Sequence, residues 1–197
     1  MDDAPLDPPL HVDWLGPADL RDGQPGRLGM TILPGKHGAS VLYPGRMYRR
    51  DLATDLAALR AAGIGVLVLL VDDRELERWG DPAIVERARD AGLTVDRRPL
   101  ADGTAPGTPE EMDDILAGLG RAREAGDAVV ACMGGVGRTG TVAACALVAA
   151  GWTAEAAIAR VRAIRHPTAV ETEQQIGFVQ SYERHIASTN AEARVAR

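Results

Sequence analysis

Ala131-Cys132-Met133-Gly134-Gly135-Val136-Gly137-Arg138-Thr139-Gly140 joins two segments of different character. The apolar run Ala128-Val129-Val130-Ala131 before it has the pattern of a buried strand, and Thr141 to Val148 after it reads as a helix. In a strand-loop-helix turn of this kind the backbone N–H groups of residues 133 to 138 can converge on one point. Glycine permits the required backbone angles, and the helix that follows adds its positive end. The expected product is an anion cradle with a thiol at its floor.

Three readings fit these residues. Gly135-Val136-Gly137-Arg138-Thr139-Gly140 matches the dinucleotide fingerprint, but that motif needs a second strand ending in an acidic residue about 20 positions on. Here Gly151-Trp152-Thr153 leads into another helical segment instead. A glycine-rich turn with a buried structural cysteine is the second reading, since free Cys often serves as a small hydrophobe. The third is Cys-x5-Arg-Thr, in which each polar residue has a task in phosphoryl transfer. Cys132 attacks phosphorus, the helix end and Arg138 favouring its thiolate. Arg138 grips two phosphate oxygens with a planar fork. Thr139 donates a hydrogen bond to the departing sulfur.

Cys-x-Gly-Gly-x-Gly-Arg-Thr-Gly resembles the signature loop of the cysteine-dependent protein tyrosine and dual-specificity phosphatases. Its Gly-Gly form and its flanks are most similar to the kinase-associated phosphatase branch, over roughly residues 28 to 186. Leu33-Pro34-Gly35, Arg49-Arg50-Asp51-Leu52 with Asp55, and Gly63-Ile64 resemble further stretches of that branch, although read alone they are a helix cap and surface charge. The resemblance implies a phosphate site built from Met133, Gly134, Gly135, Val136, Gly137 and Arg138. Two departures stand out. Ala131 occupies the place where the family usually has His, and Met133 and Val136 replace the basic residues of relatives that take inositol phosphates.

An acid must protonate the leaving oxygen. Pro99-Leu100-Ala101-Asp102-Gly103 places Asp102 in a small-residue loop after an expected strand, 30 residues before Cys132. This resembles the family's mobile acid loop, where Ala-Asp-Gly carries the general acid, and a turn aspartate is the plain alternative. Val170-Glu171-Thr172-Glu173-Gln174-Gln175 resembles the segment that positions water for the second step. Gln175 stands at the matching glutamine, and Glu171 stands where some relatives carry another. A helix N-terminus rich in acids is the equally simple reading.

Composition sets the outer limits. The 197 residues suit one domain with a sizeable core, with 46% hydrophobic and 25% charged residues. A formal net charge of -6 argues against a general nucleic-acid or anionic-membrane binder. No run is long enough for a membrane span, and Met1-Asp2-Asp3 lacks a basic leader, so cytoplasm is the expected location. Cys145 reads as core packing, and the four histidines show no metal-ligand spacing.

Along the chain, 1–27 reads as an N-terminal tail and entry, loose over 1–9 and a short strand or irregular over 11–26, 28–187 as the phosphatase domain and 188–197 as a frayed tail. Strands are expected at 28–33, 66–71, from 93, and at 128–131. Helices are expected at 51–62, 73–79, 82–91, 109–125, from 141, 154–165 capped by Thr153, and 172–186. This alternation predicts a single α/β domain, a mostly parallel sheet flanked by helices. The expected activity is metal-independent and cofactor-free phosphomonoester hydrolysis through a phosphocysteine, acting on phosphotyrosine or with dual specificity on proteins. A small phosphometabolite or lipid headgroup substrate, or a phosphate-binding module without turnover, are the alternatives.

Overall fold

The computed structural model of the chain describes residues 6–40 and 44–195, and the apolar run before the signature turn is the middle strand of its main sheet. In chain order the elements are β1 (Asp13–Leu15), α1 (Pro17–Leu20), β2 (Leu28–Ile32), β3 (His37–Ala39), β4 (Met47–Arg49), α2 (Leu52–Ala61), β5 (Ile64–Leu69), α3 (Asp73–Trp79), α4 (Ile84–Asp90), β6 (Thr94–Arg97), α5 (Pro109–Ala125), β7 (Asp127–Cys132), α6 (Gly137–Ala149), α7 (Ala154–Ile164) and α8 (Glu173–Val195). The sheet order is β1-β2-β7-β5-β6, with β1 antiparallel at one edge and the other four parallel. β3 and β4 pair as a separate hairpin, which the sequence reading lacked.

Alternation along β7 sorts its side chains between two cores. Val129 and Ala131 join Leu67 and Leu69 of β5 against Leu56 of α2, Leu76 of α3 and Ile84 of α4. Ala128, Val130 and Cys132 join Val68 and Leu70 against Met112 and Ile115 of α5, Val142 of α6, Val161 of α7 and Val179 of α8. Burial on both faces is why these strands read as unbroken apolar runs. Ile32 is level with Cys132, and Leu69 with both Ala131 and Arg97. The loops after β2, β5, β6 and β7 therefore meet at one end of the sheet, where open α/β sheets hold their ligands.

Several expected boundaries move. The helix after the signature begins at Gly137, not Thr141, so Arg138 and Thr139 lie in its first turn. The core begins before residue 28: β1 pairs with β2, Leu15 and Leu20 are buried, and Asp19 accepts a hydrogen bond from Trp152 and an ion pair from Arg160. Asp7 is tied to β4, its N–H donating to Arg49 O and its carboxylate accepting from Arg49 N–H. The loose tail expected at 1–9 is thus anchored from Asp7, while residues 1–5 lie outside the described residues. α8 runs to Val195, so the fray expected at 188–197 is helical as far as it is described, residues 196–197 lying outside. No glycine or proline follows Gly177, and Ser188 and Thr189 return their hydroxyls to the carbonyls of Arg184 and His185 without breaking the helix.

Candidate active site

Gly135 has φ +66, and a Cβ there would lie 2.3 Å from the Thr31 carbonyl, so only glycine fits. Arg165 holds the outside of the turn, its guanidinium donating to the carbonyls of Gly135 at 2.8 Å and Gly134 at 3.2 Å while pairing with Asp13 at 2.7 Å. With the carbonyls engaged on that side, the N–H groups of residues 133 to 136 have no protein acceptor among the described residues. They join the N-terminus of α6 as an anion site. Cys132, 2% exposed, ends β7 at the floor.

Arg138 enters from α6 and is fully buried. Glu75 of α3 accepts from Nη1 at 2.7 Å and from Nη2 at 2.6 Å, and Nη1 also donates to Leu100 O at 2.9 Å. Burial alone would loosen the guanidinium's proton; the Glu75 carboxylate, aided by Cys132 and Asp102, reverses this and holds it more firmly than usual. Nε is left without a partner, and so is the neighbouring Thr139 hydroxyl, although both atoms are buried. Buried polar atoms normally have partners, so these two donors are available to groups that react at Cys132.

Asp102 lies on the loop after β6 with its side chain exposed and Oδ1 3.0 Å from Arg138 Nη2. Gly103 turns the loop at φ +73. The loop is fastened to the start of α8, where the Thr172 hydroxyl donates to Gly103 O at 2.8 Å and Gln175 Nε2 donates to Thr104 O at 3.0 Å.

Gln175 does not line the cavity, although its amide lies 3.1 Å from where a Cβ on Gly137 would be. It is fully buried, and its Oε1 accepts from the N–H groups of Glu171 and Thr172, so both ends of the amide are committed. Glu171 lines the cavity instead. Its Oε2 is 2.5 Å from where a Cβ on Gly137 would be, over the first turn of α6. Val170, a buried β-branched residue at φ +61, supports this turn at some strain, its N–H donating to Val136 O. Burial and then the Asp102 charge raise the Glu171 carboxyl above the usual carboxylate range, against the pull of His166, the Gly137 N–H and Arg138.

These groups open into one cavity of about 620 Å³, lined by Cys132, Met133, Gly134, Val136, Gly137 and Arg138 together with Asp102 and Glu171. Gly135 and Thr139 lie behind its wall. The sequence reading missed Glu75, Lys36, Tyr48 and Arg165, which arrive from α3, the β2–β3 turn, β4 and the end of α7. The one local signal was Asp72-x-x-Glu75, a capping box whose glutamate is 8% exposed where a capping residue would normally face solvent. Arg50 and Asp55, read as surface charge, form a buried pair at 2.7 Å.

Residues 44–152 match the family model described as "Polymorphic toxin system, DSP-PTPase phosphatase". Cyclin-dependent kinase inhibitor 3 of Homo sapiens is 27% identical over 195 residues, covering 94% of this chain and 86% of its own, and that of Sus scrofa is 26% identical over 185 residues, covering 91% and 82%. Among solved structures, a kinase associated phosphatase with its catalytic cysteine changed to serine superposes with a TM-score of 0.79 at 24% identity, covering 92% of this chain and 98% of that one. Tk-PTP in its active form gives 0.64 at 28% identity, covering 83% and 93%. The turn, the buried arginine and the loop aspartate thus sit in a matching fold and a matching family, and the chain belongs to the DSP-PTPase phosphatases of polymorphic toxin systems, cysteine-dependent enzymes of the dual-specificity phosphatase superfamily.

Proposed function

We propose that this cavity hydrolyses phosphomonoesters of proteins in two steps, without a metal. In the first, Cys132 Sγ forms a bond to phosphorus, the ester P–O bond breaks, and Asp102 gives its proton to the leaving oxygen. In the second, water bonds to phosphorus, the P–S bond breaks, the sulfur leaves as a thiolate, and Asp102 takes the water's proton. The N–H groups of the turn and Arg138 hold the phosphoryl oxygens throughout, and the Thr139 hydroxyl turns to the departing sulfur. Asp102 pairs with one donor of Arg138. A phosphate dianion competes for that donor and frees the carboxyl to face the leaving group.

The observation that carries this reading is the pair of buried, unpartnered donors on consecutive residues, Arg138 Nε and Thr139 Oγ1, beside the thiol. The kinase associated phosphatase and cyclin-dependent kinase inhibitor 3 likenesses support a phosphoprotein substrate, as does a cavity far roomier than a phosphoryl group needs. Release of phosphate from an aryl phosphate with chelator present tests it. Wild type is expected to turn over, and Cys132→Ser to bind phosphate without turnover. Activity within about tenfold of wild type in Cys132→Ser, some 1.4 kcal/mol of barrier, would remove Cys132 as nucleophile.

A further inference from the structure

Lys36 is the chain's one lysine, every other residue among the 22 basic ones being arginine. It is 6% exposed, yet its ammonium makes no hydrogen bond or ion pair among the described residues. Its contact is the face of Tyr48, 3.9 Å from the ring centroid. Its three donors face the cavity that holds Cys132, where they are open to an acceptor that the protein itself does not supply.

The backbone around Lys36 is fixed on both sides. Its N–H donates to Leu33 O at 3.2 Å, closing a turn with Pro34 first and Gly35 second at φ +71. A Cβ on Gly35 would lie 2.8 Å from Leu52 Cβ, and Gly35 N–H donates to Asp55 at 2.9 Å. Lys36 O accepts from Arg50 N–H at 3.0 Å, and Arg50 is locked to Asp55. The arginines around the cavity are committed: Arg50 to Asp55, Arg165 to Asp13 and Arg138 to Glu75. The signature turn already supplies its N–H row and Arg138 Nε for one phosphoryl group. Lys36 stands on the opposite, β2 side of the turn from Glu75, with charge left over.

We propose that Lys36, braced by Tyr48, is a second anion-binding position for an acidic group, carboxylate or phosphate, that the substrate carries beside its scissile phosphate. This rests on the phosphatase reading above. A compact ammonium with freely turning donors suits an anion of variable approach better than the rigid fork of arginine. Burial, with Arg46 adding to it, lowers the Lys36 proton affinity to about 8 against the pull of Cys132 and Asp102, so the charge is still present at neutral pH.

The acidic group has two sources, a side chain next to a phosphorylated residue or a second phosphate on a small molecule. The test compares kcat/KM within matched pairs: phosphotyrosyl peptides flanked by Glu or by Gln, and a diol bisphosphate against its monophosphate. 4-Nitrophenyl phosphate serves as the reference. Wild type is expected to favour the acidic member of one pair by about tenfold, and that pair identifies the source. Lys36→Met should reduce the ratio to within about twofold, and Lys36→Arg should retain part of it. A ratio within one variant does not depend on the fraction folded. The proposal is overturned if neither pair shows an acidic preference, if the preference survives Lys36→Met, or if both members of a pair lose equally, which would put Lys36 on the scissile phosphate. A wild type that fails on 4-nitrophenyl phosphate overturns the phosphatase reading, and this proposal with it.

Discussion

Glu75 holds Arg138 through both carboxylate oxygens, at 2.7 and 2.6 Å, across 63 positions of sequence. The same carboxylate accepts the Asp72 N–H at the start of α3, so the arginine is aimed by an element that is itself capped by the pair. Arg138 cannot turn toward solvent, because it is 1% exposed.

Replacing Glu75 by Gln leaves a buried guanidinium without its counter-charge. Breaking such a pair typically costs about 3–5 kcal/mol, and a misplaced phosphate grip costs on the order of 10²-fold in rate. Both a lower urea midpoint and a fall in kcat/KM are expected. A Glu75→Gln variant equal to wild type in both would show that Leu100 O and Asp102 suffice to hold the arginine.

Asp102→Asn removes the proposed proton donor, a change that typically costs about 10² to 10⁴ in rate. The loss should be small for 4-nitrophenyl phosphate, whose leaving group needs no proton, and large for an alkyl phosphate. Equal losses on the two substrates would move the acid elsewhere, Glu171 being the next carboxyl in the cavity.

Glu171 titrates in the fold above its ordinary carboxylate range, because burial and Asp102 disfavour its charge. The folded state therefore keeps this proton after the unfolded chain has lost it. Wild-type stability from this group is full below the ordinary value and declines as pH rises through the raised one. Glu171→Gln should accordingly match wild type at acidic pH and exceed it in thermal midpoint near neutrality. A midpoint difference that stays flat with pH would show that the carboxylate is comfortable where it is.

Lys36 has the opposite sign of shift for its type. Its value falls from 10.5 to about 8, so the fold bears the cost of its charge at any pH below about 8 and is relieved of it between there and 10.5. Lys36→Met should raise stability at pH 7 by about 3 kcal/mol at most, with the gain shrinking in alkaline solution. Unchanged or lower stability in Lys36→Met would mean that the ammonium is better compensated than its contacts suggest. Such a trade of stability for a binding group is common at functional sites.

The signature turn and Asp102 were legible because their chemistry is local: a strand, a run of glycines and a polar residue at fixed spacing. Glu75, Lys36 and Arg165 were not, because they join the site only through sheet order. β2 and β5 flank β7, and nothing in the local pattern states that adjacency. Gln175 illustrates a different limit. Its place in the sequence resembled a water-positioning residue, yet hydrogen bonds to Glu171, Thr172 and Thr104 use its amide, and the shorter reach of Glu171 to Gly137 depends on a left-handed Val170 that composition does not signal. Ala131, read as a missing neighbour of the thiol, is fully buried in the apolar cluster on the α2 face, while Cys132 faces the other core. Strand alternation separates the two residues.

Thr172 and Gln175 grip the carbonyls of Gly103 and Thr104, two successive peptides of the aspartate loop. An outward swing of the loop backbone at these residues must undo both grips, whereas the exposed Asp102 side chain can turn without breaking either. At about 1 kcal/mol for each such bond, the swung-out form is a minority of a few per cent. The closed form of the aspartate loop is thus favoured from the root of α8, by a hydroxyl from the cavity wall and an amide that does not line it.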